Sequence, residues 1–180
     1  MILPLFFAAH VVVVALLIPA LRVQDPLYHT FPWIFGGAFL LTLVPALRRR
    51  LDAGAPVYRA LPVLLYATVI TLASSVNPRA TTGVPGNVFH PVEYAGLAFL
   101  GLYAWHAGFS RAPTRRGVLL VLIACVAFGA LDEVHQSFVP HRDPDLFDVG
   151  RDALGALAGA ALYLGWGGVR SWWRARASCS

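Results

Sequence analysis

Apolar residues fall into six runs along the chain, at about 2–21, 31–47, 57–74, 91–109, 117–139 and 147–166. Each is near the ~20 residues a helix needs to cross a bilayer. The runs are continuous, which excludes the short alternating strands of a membrane β-barrel. No repeat or low-complexity segment interrupts them. The pattern predicts an all-α, polytopic membrane helix bundle with six transmembrane helices. The second run is the shortest. The first has no Lys or Arg before Arg22 and no small-residue cleavage site behind it, so it reads as a first span and not as a signal peptide.

Composition agrees with this reading. Of 180 residues, 58% are hydrophobic and 13% charged, and the mean hydropathy is +0.65. A soluble domain carries about 25% charged residues. The net charge of +5 comes from Arg alone, since the chain has no Lys. A pI near 9.8 could point to nucleic acid, but the Arg residues cluster beside apolar runs, as membrane orientation requires. Nucleic acid is therefore not expected as a partner. Ten of the 14 Arg lie in 48–59, 110–116 and the segment after 166. The positive-inside rule puts these segments and both termini in the cytoplasm. Eight of the nine acidic residues, all but Asp52, fall in external loops or at external span ends. Acidic residues contribute little to orientation, so this asymmetry points to an outward-facing site. Cys125 and Cys179 offer no disulfide framework.

The stretch 132–159 holds six of the nine acids. Asp132 stands 15 residues beyond Gly117, about 23 Å along a helix. That falls short of the ~30 Å hydrocarbon thickness, so Asp132 and Glu133 lie beneath the outer surface. Asp132, His135 and Gln136 share a face at i, i+3, i+4, with Glu133 about a quarter turn away. In the fourth run His90, Glu93, Tyr94 and Leu97 share a face. In the sixth, Asp148, Arg151, Asp152, Gly155 and Gly159 form one stripe, whose small residues admit a close neighbouring helix. A charge facing lipid at the bilayer centre costs about 2.5–3.5 kcal/mol. The acids are therefore expected to face one another, with Arg142 and Arg151 as counter-charges.

The candidate catalytic residues are Glu93, Asp132, Glu133 and His135, because a carboxylate or imidazole shielded from water suits general acid–base work. The candidate substrate-binding residues are His90, Tyr94, Gln136, Arg142, Asp148 and Asp152; the guanidinium fork of Arg142 suits a phosphate or carboxylate. Structural accounts stand beside these. His90 and His135 can be helix-end side chains bonded to neighbours. Asp145 can cap the sixth helix, with Asp148 favoured by the dipole in its first turn, and Glu93 admits the same account. Arg142 can pair with Asp143 or Asp145, or with lipid phosphate. His10 and His106 sit alone among apolar residues and read as core histidines, while His29 and His141 read as solvent-exposed. Trp172 and Trp173 with Arg170, Arg174 and Arg176 read as an interfacial anchor. Asp132 and His135 with Glu93, Glu133 and Asp148 nearby could ligate a metal, but such spacing is common by chance. No metal or other cofactor is assigned. There is no G-x-S-x-G elbow and no Gly-rich phosphate loop.

These residues resemble the VanZ-like family of bacterial multi-pass membrane proteins. The family's pattern is a His-x-x-x-Tyr opening one span, met here by His90 and Tyr94. An Asp-Glu-x-His-Gln-x-Phe-x-Pro-Gly-Arg run follows, met by Asp132, Glu133, His135, Gln136, Phe138, Pro140 and Arg142. An Asp then opens a last span above Asn and Gly, met by Asp148 and Gly155. Two departures stand out: His141 replaces the Gly before Arg142, and Asp152 stands where Asn is usual. The resemblance covers about 57–166. It implies a four-helix core at 57–170, two extra N-terminal helices within 1–50, a basic tail at 171–180 and a place in the bacterial cytoplasmic membrane. The family is named for a protein linked to teicoplanin tolerance.

Three functional readings follow. In the first, an enzyme of the outer leaflet acts on a lipid or lipid-linked envelope precursor. In the second, a non-enzymatic membrane protein binds a glycopeptide, a lipid headgroup or a partner and alters envelope access. The third is transport of an ion or proton, for which no pair of broken helices is visible. The oligomeric state is not legible.

Overall fold

The computed structural model describes residues 2–20, 28–44, 47, 49, 56–75, 89–140 and 142–177. Among them there are six α-helices and no strand. These are α1 (Ile2–Ala20), α2 (Phe31–Leu43), α3 (Pro56–Ser74), α4 (His90–Trp105), α5 (Arg115–Gln136) and α6 (Leu146–Ala177); a 3-10 turn at Tyr28–Thr30 leads into α2. Arg22, Asp25, Arg48, Arg50, Asp52, Arg79, His141 and Cys179 lie outside the described residues.

The helix ends have local causes. α2 stops at Leu43 and not at 47, because Val44 precedes Pro45 and takes an extended ψ of 114°. The ring of a following proline disfavours helical backbone at the residue before it. α4 stops at Trp105 and not at 109. Ala107 and Gly108 turn left-handed, with φ of 50° and 68°, and the Gly108 N–H closes the helix on the Tyr103 carbonyl at 2.7 Å. α5 opens on Thr114, whose Oγ1 accepts from the Gly117 N–H at 3.1 Å. α6 continues well past 166, so most of the expected basic tail is helical; there the Arg176 guanidinium lies 3.9 Å over the Trp172 ring.

α4 is the centre of the bundle, packed against α3, α5 and α6. Its closest approach is to α6. A side chain at Gly155 would overlap the Pro91 main chain, and one at Gly159 the Ala95 main chain. The predicted small-residue stripe is thus the seam that draws the two helices together. α1 and α2 pair with each other through Leu3, Phe7, Phe31 and Phe35. Phe6 of α1 stacks on Phe99 at 5.9 Å. His10 donates from Nδ1 to the Phe6 carbonyl at 2.8 Å, and its Nε2 accepts from the Tyr66 hydroxyl at 3.0 Å.

By length and composition, α3 and α5 are the two helices among the described residues able to cross a membrane. Only 33% of the apolar window in each is buried. A core helix of a soluble protein would be mostly covered. Here Leu61 and Leu64 of α3 and Leu119, Ile123 and Leu131 of α5 stand exposed, a large apolar surface of the kind that lipid covers.

Candidate functional site

α3 and α5 end, and α4 and α6 begin, at one end of the bundle. His90, Asp132, Glu133, Gln136, Asp148 and Asp152 are all buried there. His90 occupies the first turn of α4, where Pro91 is tolerated because no intrahelical N–H is lost. Its Nδ1 lies 2.8 Å from Oδ1 of Asp152 in the second turn of α6. Asp152 is fully buried and fits because α5 has no side chain at Gly129; a Cβ there would strike the carboxylate. Tyr94 stacks parallel to His90 at 6.3 Å, with its hydroxyl buried and unbonded among the described residues.

Asp132 is held from two sides. The Ser74 hydroxyl donates to its Oδ2 at 2.7 Å, and Gln136 Nε2 donates to the same oxygen at 2.8 Å. Glu133 reaches the other way, where its Oε2 accepts from the Asp145 N–H at 2.7 Å. Among the described residues its Oε1 is buried with no hydrogen-bond partner, as is Asp152 Oδ2. Such atoms are rare in folded proteins, because an unmet buried acceptor costs about 1–3 kcal/mol. Asp145 itself caps α6, with its Oδ1 accepting from the Phe147 N–H at 2.9 Å. One ligand atom from each of His90, Asp132 and Glu133 lies within 4.8 Å of the others.

The expected site residues divide in two. His90, Asp132, Glu133, Gln136 and Asp152 meet, Tyr94 stacks against them, and Glu93 lies within electrostatic reach of His90, Asp132 and Asp152. His135 stands apart. It is partly exposed, with its Nε2 3.0 Å from the Ser75 hydroxyl of the α3 end. Glu133 and His135 project about 200° apart around the helix. They flank the buried stripe through Gly129, Asp132 and Gln136 on opposite sides, one toward α6 and one toward α3. Arg142 donates from Nη1 to the Ser74 carbonyl at 2.9 Å, tying the α5–α6 loop to the end of α3. Asp148 pairs with Arg151, which also reaches Asp145 at 3.9 Å. Ser74 and Gly129 were not among the expected residues. The signal for Ser74 is a hydroxyl ending a span at the depth of the acids; for Gly129, a gap one turn before Asp132.

Below the polar end runs an apolar cleft of about 470 Å3 between α3, α4 and α5. Leu97 and Phe128 line it one turn from Glu93 and Asp132, and Trp105 and Pro56 line its far end. α3 and α5 meet over only a few residues, among them Ser74 and Asp132, and the cleft lies between them.

The fold and the site define a helical bundle with two candidate membrane-spanning helices and a buried histidine–carboxylate cluster at one end. The chain belongs to the VanZ/LLP1 family, which it matches over residues 6–168. The match takes in most of α1 and all of α2, and so reaches beyond the 57–166 that carries the motif resemblance. Comparison with curated proteins and with solved structures finds no match.

Proposed function

We propose that the chain crosses the bacterial cytoplasmic membrane six times with both termini inside, and that its polar site faces the outer leaflet and acts on a lipid or lipid-linked envelope precursor. The observation that carries this reading is the union of two features. Buried acids with unmet oxygens need a polar occupant, and an apolar cleft beginning one turn away suits a hydrocarbon chain. A headgroup at His90, Asp132 and Glu133 with its chain in the cleft would use both. Glu93, which lies within electrostatic reach of His90, Asp132 and Asp152, is the favoured general acid or base. Arg142 commits one nitrogen to Ser74, leaving others to meet a phosphate. A changed precursor pool would alter how glycopeptides reach their target, which links this reading to drug tolerance.

Binding without turnover is the second reading. It is favoured by the depth of the site, where His90, Asp132, Glu133 and Asp152 are each 5% exposed or less. Mass spectrometry of envelope lipids and precursors separates the two. Deletion is expected to make one lipid species accumulate, and wild type but not Glu133→Gln to restore the profile. Identical profiles in wild-type and deleted cells would overturn the enzymatic reading. For topology, an Asp143→Cys, Cys179→Ser variant is expected to react with an impermeant thiol reagent from outside. Reaction only from the cytoplasmic side would reverse the orientation.

A further inference from the structure

The geometry points to a divalent transition-metal site, for a cation such as Zn2+ or Mn2+, built by His90 of α4 and by Asp132 and Glu133 of α5. Three facts converge on it. First, one ligand atom of each residue lies within 4.8 Å of the others. Two ligand atoms about 2.1 Å from one tetrahedral ion stand roughly 3.5 Å apart, so the set lies close to coordinating distance.

Second, each of the three offers one atom and has its other atom held. His90 Nδ1 is taken by Asp152 Oδ1, leaving Nε2. Asp132 Oδ2 is taken by Ser74 and Gln136, leaving Oδ1. Glu133 Oε2 is taken by the Asp145 N–H, leaving Oε1, which is buried and unbonded. A carboxylate behind a ligating histidine fixes its tautomer and orientation and raises its basicity, and hydrogen bonds behind ligating carboxylates do the same for them. Asp152 in this account is a positioning residue.

Third, the charge needs a cation. Among the described residues, His90 pairs with Asp152, and Arg151 pairs with Asp145 and Asp148, but no ion pair reaches Asp132 or Glu133. Buried charges are paired or bind metal. One imidazole with two carboxylates suits Zn2+, Mn2+ or Fe2+ better than Ca2+, which prefers an all-oxygen shell, or a soft ion, which prefers thiolate. The Asp132 and His135 pair suggested by helical spacing takes no part, since His135 faces Ser75.

The test is metal analysis of protein purified in detergent without a polyhistidine tag, stripped with EDTA and reloaded separately with Zn2+, Mn2+ and Ca2+. About one equivalent of Zn2+ or Mn2+ per chain is expected, with a saturable rise in melting temperature. His90→Gln and Glu133→Gln are expected to lose it. Asp152→Asn, which keeps the shape, is expected to weaken affinity by about 10–100-fold. Should the ligand variants not fold, the wild-type titration decides alone. No saturable binding by wild type, or unchanged binding by folded Glu133→Gln, overturns the proposal. No lipid enters this measurement, so it can fail while the lipid reading stands, and the reverse.

Discussion

The two ends of α4 each bury a histidine, and the two are held in opposite ways. His106, 2% exposed, bonds to main chain on both nitrogens: Nδ1 donates to the Leu102 carbonyl at 3.1 Å, and Nε2 accepts from the Thr114 N–H at 3.2 Å. Tyr163 stacks beside it at 5.8 Å. Nothing polar is left over, and the arrangement locks the α4–α5 turn. His90, 3% exposed, bonds to a carboxylate through Nδ1 and has two more carboxylates, of Asp132 and Glu133, within 4.8 Å of a ring nitrogen. Around it Glu133 Oε1, Asp152 Oδ2 and the Tyr94 hydroxyl have no hydrogen-bond partner among the described residues. One end of the helix is a finished structural joint, while the other keeps binding capacity that the fold does not use. A buried histidine is therefore informative only through its partners.

This contrast can be broken by mutation. The largest effect is expected at the seam that both ends share. Gly159→Leu forces a side chain into the Ala95 main chain and should cost about 3 kcal/mol or more, read as loss of a monodisperse peak in detergent chromatography. His106→Ala comes next. It leaves a cavity and strands the Thr114 N–H, for about 2–4 kcal/mol, visible as a lowered denaturation midpoint. Glu133→Gln should behave in the opposite way, shifting stability by under about 1 kcal/mol or raising it, because it removes a buried charge that no partner offsets. The same change should abolish cation binding and the lipid phenotype. A loss as large as that of His106→Ala would erase the distinction between the two ends. Smallest is Arg142→Lys, which can still reach the Ser74 carbonyl and should cost less than about 1 kcal/mol. Unchanged headgroup binding by that variant would argue against a guanidinium fork on phosphate.

Much of this was legible beforehand. The helix cores, the acid-rich end, the Gly155 and Gly159 stripe, the Asp145 cap and the core character of His10 and His106 follow from runs and spacings within single segments. The ends expected at 47 and 109 fall instead at 43 and 105, for backbone reasons that hydropathy does not register, an X-Pro bond and a left-handed turn. The division of the site was less legible. Helical spacing grouped His135 with Asp132 and placed His90 among the substrate-binding residues, whereas His90 bonds Asp152 of α6 and has a ligand atom within 4.8 Å of those of Asp132 and Glu133 of α5.

Sequence alone determined which residues form helices and which faces those helices bury, because periodicity acts through backbone geometry within one helix. It also set how far along each helix the polar groups occur, since rise per residue is constant. Only the tertiary structure decided which polar atoms meet. His90 and Asp152 are 62 positions apart, and Ser74 and Asp132 are 58 apart. Their contacts depend on how each helix is rotated and slid against its neighbours. Those rotations are fixed where Gly155 and Gly159 ride on the main chain of Pro91 and Ala95, an interaction between surfaces that no single segment encodes.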